Sequence, residues 1–209
     1  MPISSNIRLM IGCVGDQFLP GVKEAIGAAA EVLRYGGLVV EVKVQPPITI
    51  MPFLGLATMR SRLFLQAKAD GYTHLLLLDN DVLVNTEAIV HLLRQDQAVT
   101  VPHYERRFSD GVNLMEPANP PWDQGYITWA ELSCLLLRIG SFQSITFPFV
   151  DTLCFCEEET LFMGWRDRGI EPWYCGSAVV TLLRPPTNLW TLKPEDLFRV
   201  KTPGDVPME

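Results

Sequence analysis

The chain has 209 residues, of which 48% are hydrophobic and 20% charged, a globular composition that excludes a disordered or fibrous protein. Its 17 Lys and Arg against 24 Asp and Glu leave a net charge of −7 and a pI near 5.0, which argues against a nucleic-acid-binding surface. The longest apolar runs fall far short of the roughly 20 residues that a transmembrane helix needs.

In chain order, "IRLMIGCVG" (7–15) reads as a short buried strand ending at glycine. "PGVKEAIGAAAEVLRYGG" (20–37) reads as a helix, with Pro20 at its start and Gly36-Gly37 at its end. Valine-rich "LVVEVKVQ" (38–45) is a second strand, closed by Pro46-Pro47. Strand, helix, strand predicts a βαβ unit and a parallel sheet. "ATMRSRLFLQAKAD" (57–70) places Met59, Leu63 and Ala67 on one helical face, with Arg62 and Gln66 on another and Gly71 as the stop. "YTHLLLLDND" (72–81) is a continuous apolar strand of the kind covered on both faces. "TEAIVHLLRQ" (86–95) is a helix capped by Asn85 or Thr86, and "AVTVPHY" (98–104) is another strand. The expected order through residue 104 is therefore β-α-β-α-β-α-β.

Beyond it, residues 105–126 are rich in Pro, Gly and Asn and read as a long loop or meandering hairpin containing Trp122 and Tyr126. "ITWAELSCLLLRIGSF" (127–142) is a strand leading into a short helix. "EEETLFMGWRDRG" (157–169) is a helix with an acidic start and Phe162 and Trp165 at helical spacing. "SAVVTLLRP" (177–185) is a last strand, and the tail from Pro185 is proline-rich and extended. The expected organisation is one domain over 1–184 with a tail over 185–209.

The five cysteines, Cys13, Cys134, Cys154, Cys156 and Cys175, show no C-x-x-C pair and no Cys/His ligand spacing. No second pair completes a metal site with Cys154-Phe-Cys156. The N-terminus lacks a basic region followed by a long apolar core, so no signal peptide is expected. Reduced thiols and a cytoplasmic location are the expectation.

The stretch that carries chemistry is "THLLLLDND" (73–81), in which four leucines run into Asp79-Asn80-Asp81. Ligands of open parallel sheets bind outside the carboxyl ends of the strands, which is where these acids fall. In extended chain, two residues apart, both carboxylates would point to the same side and form a hard-oxygen half-site for Mg2+ or Mn2+. A divalent cation with its diphosphate would then relieve their mutual repulsion. The plainer alternative is a loop acid beside a helix cap.

With these residues in place, "MRSRLFLQAKADGYTHLLLLDNDVLV" resembles the nucleotide-sugar-binding core of GT-A-fold glycosyltransferases. In that family, a helix with an Arg-rich start precedes an apolar strand ending in a D-x-D motif. "ITWAELSCLLLRIGSF" is similar to the family's segment bordering the donor sugar and acceptor. "EEETLFMGWRDRG" resembles its "E-D-x-x-F … G" segment, with Glu158-Glu159 replacing Glu-Asp. The resemblance implies an α/β, Rossmann-like GT-A fold with a mostly parallel central sheet in a single domain. Residues 1–104 would form the nucleotide-binding half and 105–184 the acceptor and catalytic half.

It also implies transfer of a sugar from a UDP- or GDP-sugar donor to a saccharide or other hydroxyl acceptor, assisted by Mn2+ or Mg2+. Asp79 would lie near the ribose or metal with Asn80 beside it, Asp81 would bind the metal, and Arg60 or Arg62 would contact the base or diphosphate. In the inverting form, Glu159 would be the general base with Glu158 as its neighbour. Trp122, Tyr126 and Trp129 are the aromatic candidates for holding the acceptor, with core packing the alternative for Trp129. The family often adds a late His ligand, but "SAVVTLLRP" has Thr181 there. His74 and His91 read as structural by position, and His103 ends a predicted strand near the same face.

Two other readings use the same residues. A non-catalytic nucleotide-sugar-binding protein would need the donor site alone. A haloacid-dehalogenase-like phosphatase would use Asp79 as a covalent nucleophile. That family expects the motif on its first strand and a Lys later in the domain. Here the motif follows the third predicted strand, and the only later lysines are Lys193 and Lys201 in the tail.

Overall fold

Apolar runs bounded by glycine and proline become strands covered on both faces, and 3.6-residue stripes become the helices that cover them. The computed structural model describes residues 6–15, 17–45, 52–106, 123–127, 132–143, 145 and 157–183, with the backbone alone at 52–56, 106 and 157–160. The elements are β1 (Arg8–Val14), α1 (Val22–Tyr35), β2 (Val39–Gln45), α2 (Pro52–Ala69), β3 (His74–Asp79) and the two-residue β4 (Val82–Leu83). They continue with α3 (Thr86–Arg94), β5 (Val99–Arg106), β6 (Gln124–Tyr126), β7 (Cys134–Arg138), a 3-10 turn at Ile139–Ser141, α4 (Glu157–Arg166) and β8 (Trp173–Leu182). The β-α-β-α-β-α-β order expected through residue 104 is present, with β4 added.

The strands form one sheet in the order β2-β1-β3-β7-β5-β8-β4, with β6 paired to β8 off that path. β1 is parallel to β2 and β3, and β5 is parallel to β8. β7 is antiparallel to both β3 and β5, while β4 and β6 are antiparallel to β8. The sheet is thus mixed α/β, its longest ladders are parallel, and β1, β2, β3, β5 and β8 all run the same way. It takes strands from both expected halves of the chain. The tail over 185–209 lies outside the described residues.

Strand alternation sorts the core onto the two faces. Leu9, Ile11, Cys13, Leu76 and Leu78 pack with α1 and α3. Met10, Val14, Leu75 and Leu77 pack with α2 and α4. All four leucines of the 75–78 run are buried, each worth about 1.5–3 kcal/mol relative to exposure. Gly12 lets α2 approach β1: a Cβ there would meet Leu63 Cδ1 at 2.9 Å. The Asn85 side chain caps α3, accepting from Ala88 N at 2.8 Å, so Asn85 and not Thr86 is the cap.

Two boundaries differ from the sequence expectation. α2 starts at Pro52, not near residue 57, because proline is tolerated in a first helical turn where its missing N–H has no partner to lose. β8 starts at Trp173, not at 177, and carries a bulge where the β5–β8 register shifts between Pro102 and His103. Gly176 sits in that bulge and donates from its N–H to Asp123 O at 2.6 Å. Gly176 is therefore a kink within one longer strand.

Candidate functional site

The site forms where the chain reverses its direction of travel across the sheet. From β1 the chain crosses to β2 on one side, and from β2 it returns to β3 on the other. The crevice beyond the carboxyl ends of β1 and β3 is a topological switch point, the usual ligand position in such sheets. Val14 and Asp79 are register partners at that edge.

Asp79 continues the Leu75, Leu77 face of β3, so its carboxylate turns toward α2. Arg60 of α2 meets it there, with Nη2 donating to Oδ1 at 2.8 Å. The two side chains are only 4% and 16% exposed. Arg60 therefore lies against the sheet, whereas Arg62, two residues on, is exposed on the outer side of α2. A helix turns by about 200° over two residues, which separates them. The negative charge of Asp79 is thus answered from within the chain.

Asp81 is placed differently. The backbone leaves the extended conformation at Asn80 and turns through Asn80-Asp81 before β4 begins. The expectation that Asp79 and Asp81 share one extended strand is corrected here. The physical cause is β4, whose Val82 must pair with Leu182 of β8. Leu183 N also donates to Asp81 O at 2.8 Å. Three residues span at most roughly 10 Å and paired strands lie roughly 5 Å apart, so the carboxyl end of β8 lies within roughly 15 Å of Asp79. The bulge at Gly176 gives β8 the bend that brings it there, and Thr181 sits opposite Leu83 at this edge.

Asn80 is engaged in structure. Its side-chain amide donates to Gln17 O, and its carbonyl accepts from Leu19 N at 3.0 Å. Gly15, at φ +124, lies beneath it, and a Cβ there would meet Asn80 Cγ at 2.7 Å. Asn80 thus ties the loop after β1 to the turn after β3.

On its other side, Asp79 N donates to Ser133 O at 2.9 Å, extending the β3–β7 pairing by one residue. β5 and β7 pair at Val99 and Thr100, and beyond that point Tyr104 bridges them. Its hydroxyl donates to Cys134 O at 2.8 Å and accepts from Cys134 N at 2.9 Å. Sequence reading missed Tyr104, Ser133 and Gly15. The only signals were a tyrosine at the end of a predicted strand and a glycine after the first one.

The remaining predicted residues fall in several places. Glu158 and Glu159 are in the first turn of α4, with only their backbone described. Trp165, near the other end of α4, lies 6.1 Å from Phe142, which follows β7 at the amino edge of the parallel strands. Tyr126 is exposed and stacks edge-on with Trp173, their ring centroids 4.8 Å apart. Its strand is aligned through Trp173, Thr100 and Leu136 with Leu76, four inter-strand steps or roughly 19 Å away. Asp79 lies three residues further on, toward the opposite edge. Tyr126 thus sits beside the amino half of β8, with which β6 pairs. Trp122 and Trp129 lie outside the described residues.

His103 is inside β5, and its Nδ1 shares a 2.6 Å hydrogen bond with the buried Tyr174 hydroxyl. Burial pushes that hydroxyl up to about 12. Cys13, Cys134 and Cys175 are free and buried, and Cys154 and Cys156 lie outside the described residues.

The donor set suits a hard cation. Asp79 and Asp81 offer carboxylate oxygens, and Mg2+-type sites are commonly completed by substrate phosphates and water. Among the described residues, no group of three or more His, Cys, Asp or Glu is arranged to hold a metal ion. Nor is any helix among them long and apolar enough to cross a membrane.

No family model matches the chain, and no curated protein matches it in sequence. Solved structures do match. The crystal structure of GalNAc-T7 with UDP, GalNAc and Mn2+ overlays with a TM-score of 0.55 at 12% identity, over 87% of this chain and 45% of that one. The catalytic domain of Drosophila β1,4-galactosyltransferase 7, in complex with xylobiose, gives 0.47 at 15% identity over 88% and 66% of the two chains. A glycosyltransferase involved in glycosylation of the major capsid of PBCV-1 gives 0.38 at 16% identity, over 62% and 59%. The chain has the GT-A glycosyltransferase fold. It spans 45% of the GalNAc-T7 chain.

Proposed function

We propose that the protein is a glycosyltransferase that moves a sugar from a nucleoside-diphosphate sugar to an acceptor hydroxyl. The observation that carries this reading is the Asp79-Asn80-Asp81 turn at the switch point between β1 and β3 of a GT-A fold. The nucleotide would lie in that crevice, over Gly15 and against the turn. A divalent ion, held through Asp81 and Asp79, would supply Lewis-acid stabilisation of the departing diphosphate.

The chain's own contribution is positioning and proton transfer. Burial of Asp79 against Arg60, and the lacing of Asn80 to Gln17 and Leu19, pre-set the donor end of the crevice. At the other end, the acceptor oxygen attacks the anomeric carbon as the bond from that carbon to the diphosphate oxygen breaks. Glu159, with Glu158 beside it, takes the acceptor proton, and the single displacement from the face opposite the diphosphate inverts the anomeric carbon.

The test is calorimetric titration of UDP and GDP, each with Mn2+ and then with EDTA, on wild type and Asp81→Ala. The presence of UDP and Mn2+ in the GalNAc-T7 structure makes UDP the first nucleotide to try. Ion-dependent binding that disappears in Asp81→Ala is the expected result. Binding indifferent to ion and substitution would favour a passive nucleotide-sugar binder. No binding of either nucleotide would end the glycosyltransferase reading and make phosphatase activity the next assay.

A further inference from the structure

β2 closes one end of the sheet, and among the described residues it pairs with β1 alone. Which of its backbone groups face outward follows from the alternation of bonds, strand by strand. Asp79 N donates to Ser133 O and Thr73 O accepts from Ile139 N, so odd-numbered residues of β3 bond to β7 and even-numbered ones to β1. In a parallel ladder a residue bonds to the two neighbours of its register partner. Arg8, Met10, Gly12 and Val14 of β1 therefore face β3, and Leu9, Ile11 and Cys13 face β2. The same step carried to β2 turns Glu41 and Lys43 inward and leaves Val40, Val42 and Val44 with N–H and C=O at the open edge. The Arg34 guanidinium agrees, donating from Nε to Val40 O at 2.9 Å, and a carbonyl can accept a second bond. The side chains alternate as well. Val40 and Val42 lie on the α1 face. Glu41 accepts from the Tyr72 hydroxyl on the α2 face, with Lys43 Nζ 2.5 Å from its Oε1.

We propose that this edge docks a second copy of the chain, β2 against β2, antiparallel about a two-fold axis at Val42. Val42 then faces Val42 of the second copy and Val40 faces its Val44, each pair exchanging both of its outward N–H···O bonds. Glu41 stands opposite Lys43 of the second copy, and Lys43 opposite its Glu41, in the pairs where side chains come closest. Charge selects this register. A two-fold at residue 41 would set Glu41 against Glu41, and one at residue 43 would set Lys43 against Lys43, both unfavourable. Lysine on an edge strand ordinarily discourages pairing, but here each lysine meets a glutamate. Val44, 49% exposed, gains an apolar neighbour on the α1 face. Because the strands run antiparallel, the two crevices beyond β1 and β3 open at opposite edges of the joined sheet. The inference stands apart from the glycosyltransferase reading.

The experiment is sedimentation velocity of the full chain from about 1 μM to about 1 mM, on wild type, Glu41→Lys, Lys43→Glu and an equimolar mixture of the two variants. Wild type should pass from monomer to dimer as concentration rises. Each single variant sets like charges opposite each other on both sides of the axis and should weaken the dimer by about tenfold or more. The mixture should recover it, because a strand carrying two lysines then faces a strand carrying two glutamates. Unfolding cannot produce that recovery. Should either variant fail to fold, Val44→Pro decides: Val44 N faces away from β1, so proline is tolerated there, yet it removes bonds to the second copy and should abolish the dimer.

The proposal is overturned if wild type stays monomeric across the range, which would leave the edge for a strand of another protein. It is equally overturned if Glu41→Lys and Lys43→Glu dimerise as wild type does, or if their mixture stays monomeric with both folded. A folded Val44→Pro that dimerises like wild type overturns it as well.

Discussion

The Tyr104 hydroxyl occupies the fork where β5 and β7 part after Thr100, and it satisfies both backbone groups of Cys134. Removing it would leave the Cys134 N–H and C=O buried without the phenol, at a cost of about 1–3 kcal/mol. Tyr104→Phe should therefore lower the urea midpoint with the m-value unchanged. A midpoint equal to wild type would show that the fork closes on its own. Because Cys134 follows Ser133, whose carbonyl holds Asp79 N, the same substitution bears on the acidic turn. Gly12 acts at this scale too, since a Cβ there would meet Leu63 Cδ1 at 2.9 Å and Leu75 Cδ1 at 3.2 Å, so those side chains would have to shift.

The element that organises the site is β3. It is buried from His74 to Leu78 and ends at the half-buried Asp79. His74, at its start, is 7% exposed, and burial holds its imidazole below the ordinary histidine range, with Arg138 acting in the same direction and Asp96 opposing. The unfolded chain protonates near its usual pKa of about 6.5 while the folded ring does so only at lower pH. Below that value the unfolded state binds more protons, so stability falls as pH drops and levels off only once the folded ring is charged. Thermal midpoints measured from about pH 7.5 down to about 5.5 should decline in wild type and decline less in His74→Gln. Equal slopes would assign the acid sensitivity to other groups.

Across the whole molecule, the two packed faces of the sheet protect the thiols. Burial pushes Cys13 up to about 12, and pushes Cys134 up as well, with the Asp79 charge adding to it. Both lie inside strands covered by helices on both faces, so neither should alkylate while the sheet is closed. Peptide mapping after iodoacetamide treatment at about pH 8 should find them unmodified in the native protein and modified in denaturant. Native modification would mean that the sheet opens locally at β1 or β7.

Short-range patterning determined much of this protein. The apolar stripes, the glycine and proline punctuation and the leucine run specify the order of elements through β5 and the location of Asp79-Asn80-Asp81 at a strand end. Those signals repeat every 2 or 3.6 residues and are complete within a dozen positions. The tertiary structure alone decided what meets at that strand end. Arg60 and Asp79 are 19 residues apart and become partners because alternation on β3 and the packing of α2 turn both inward. Val82 pairs with Leu182 of the bulged β8, and the chain turns at Asn80-Asp81 to reach that pairing. Tyr126 is drawn away from the acidic turn because β6 joins the amino half of β8. Sheet order and bulges arise from pairings between distant segments, which no local period encodes.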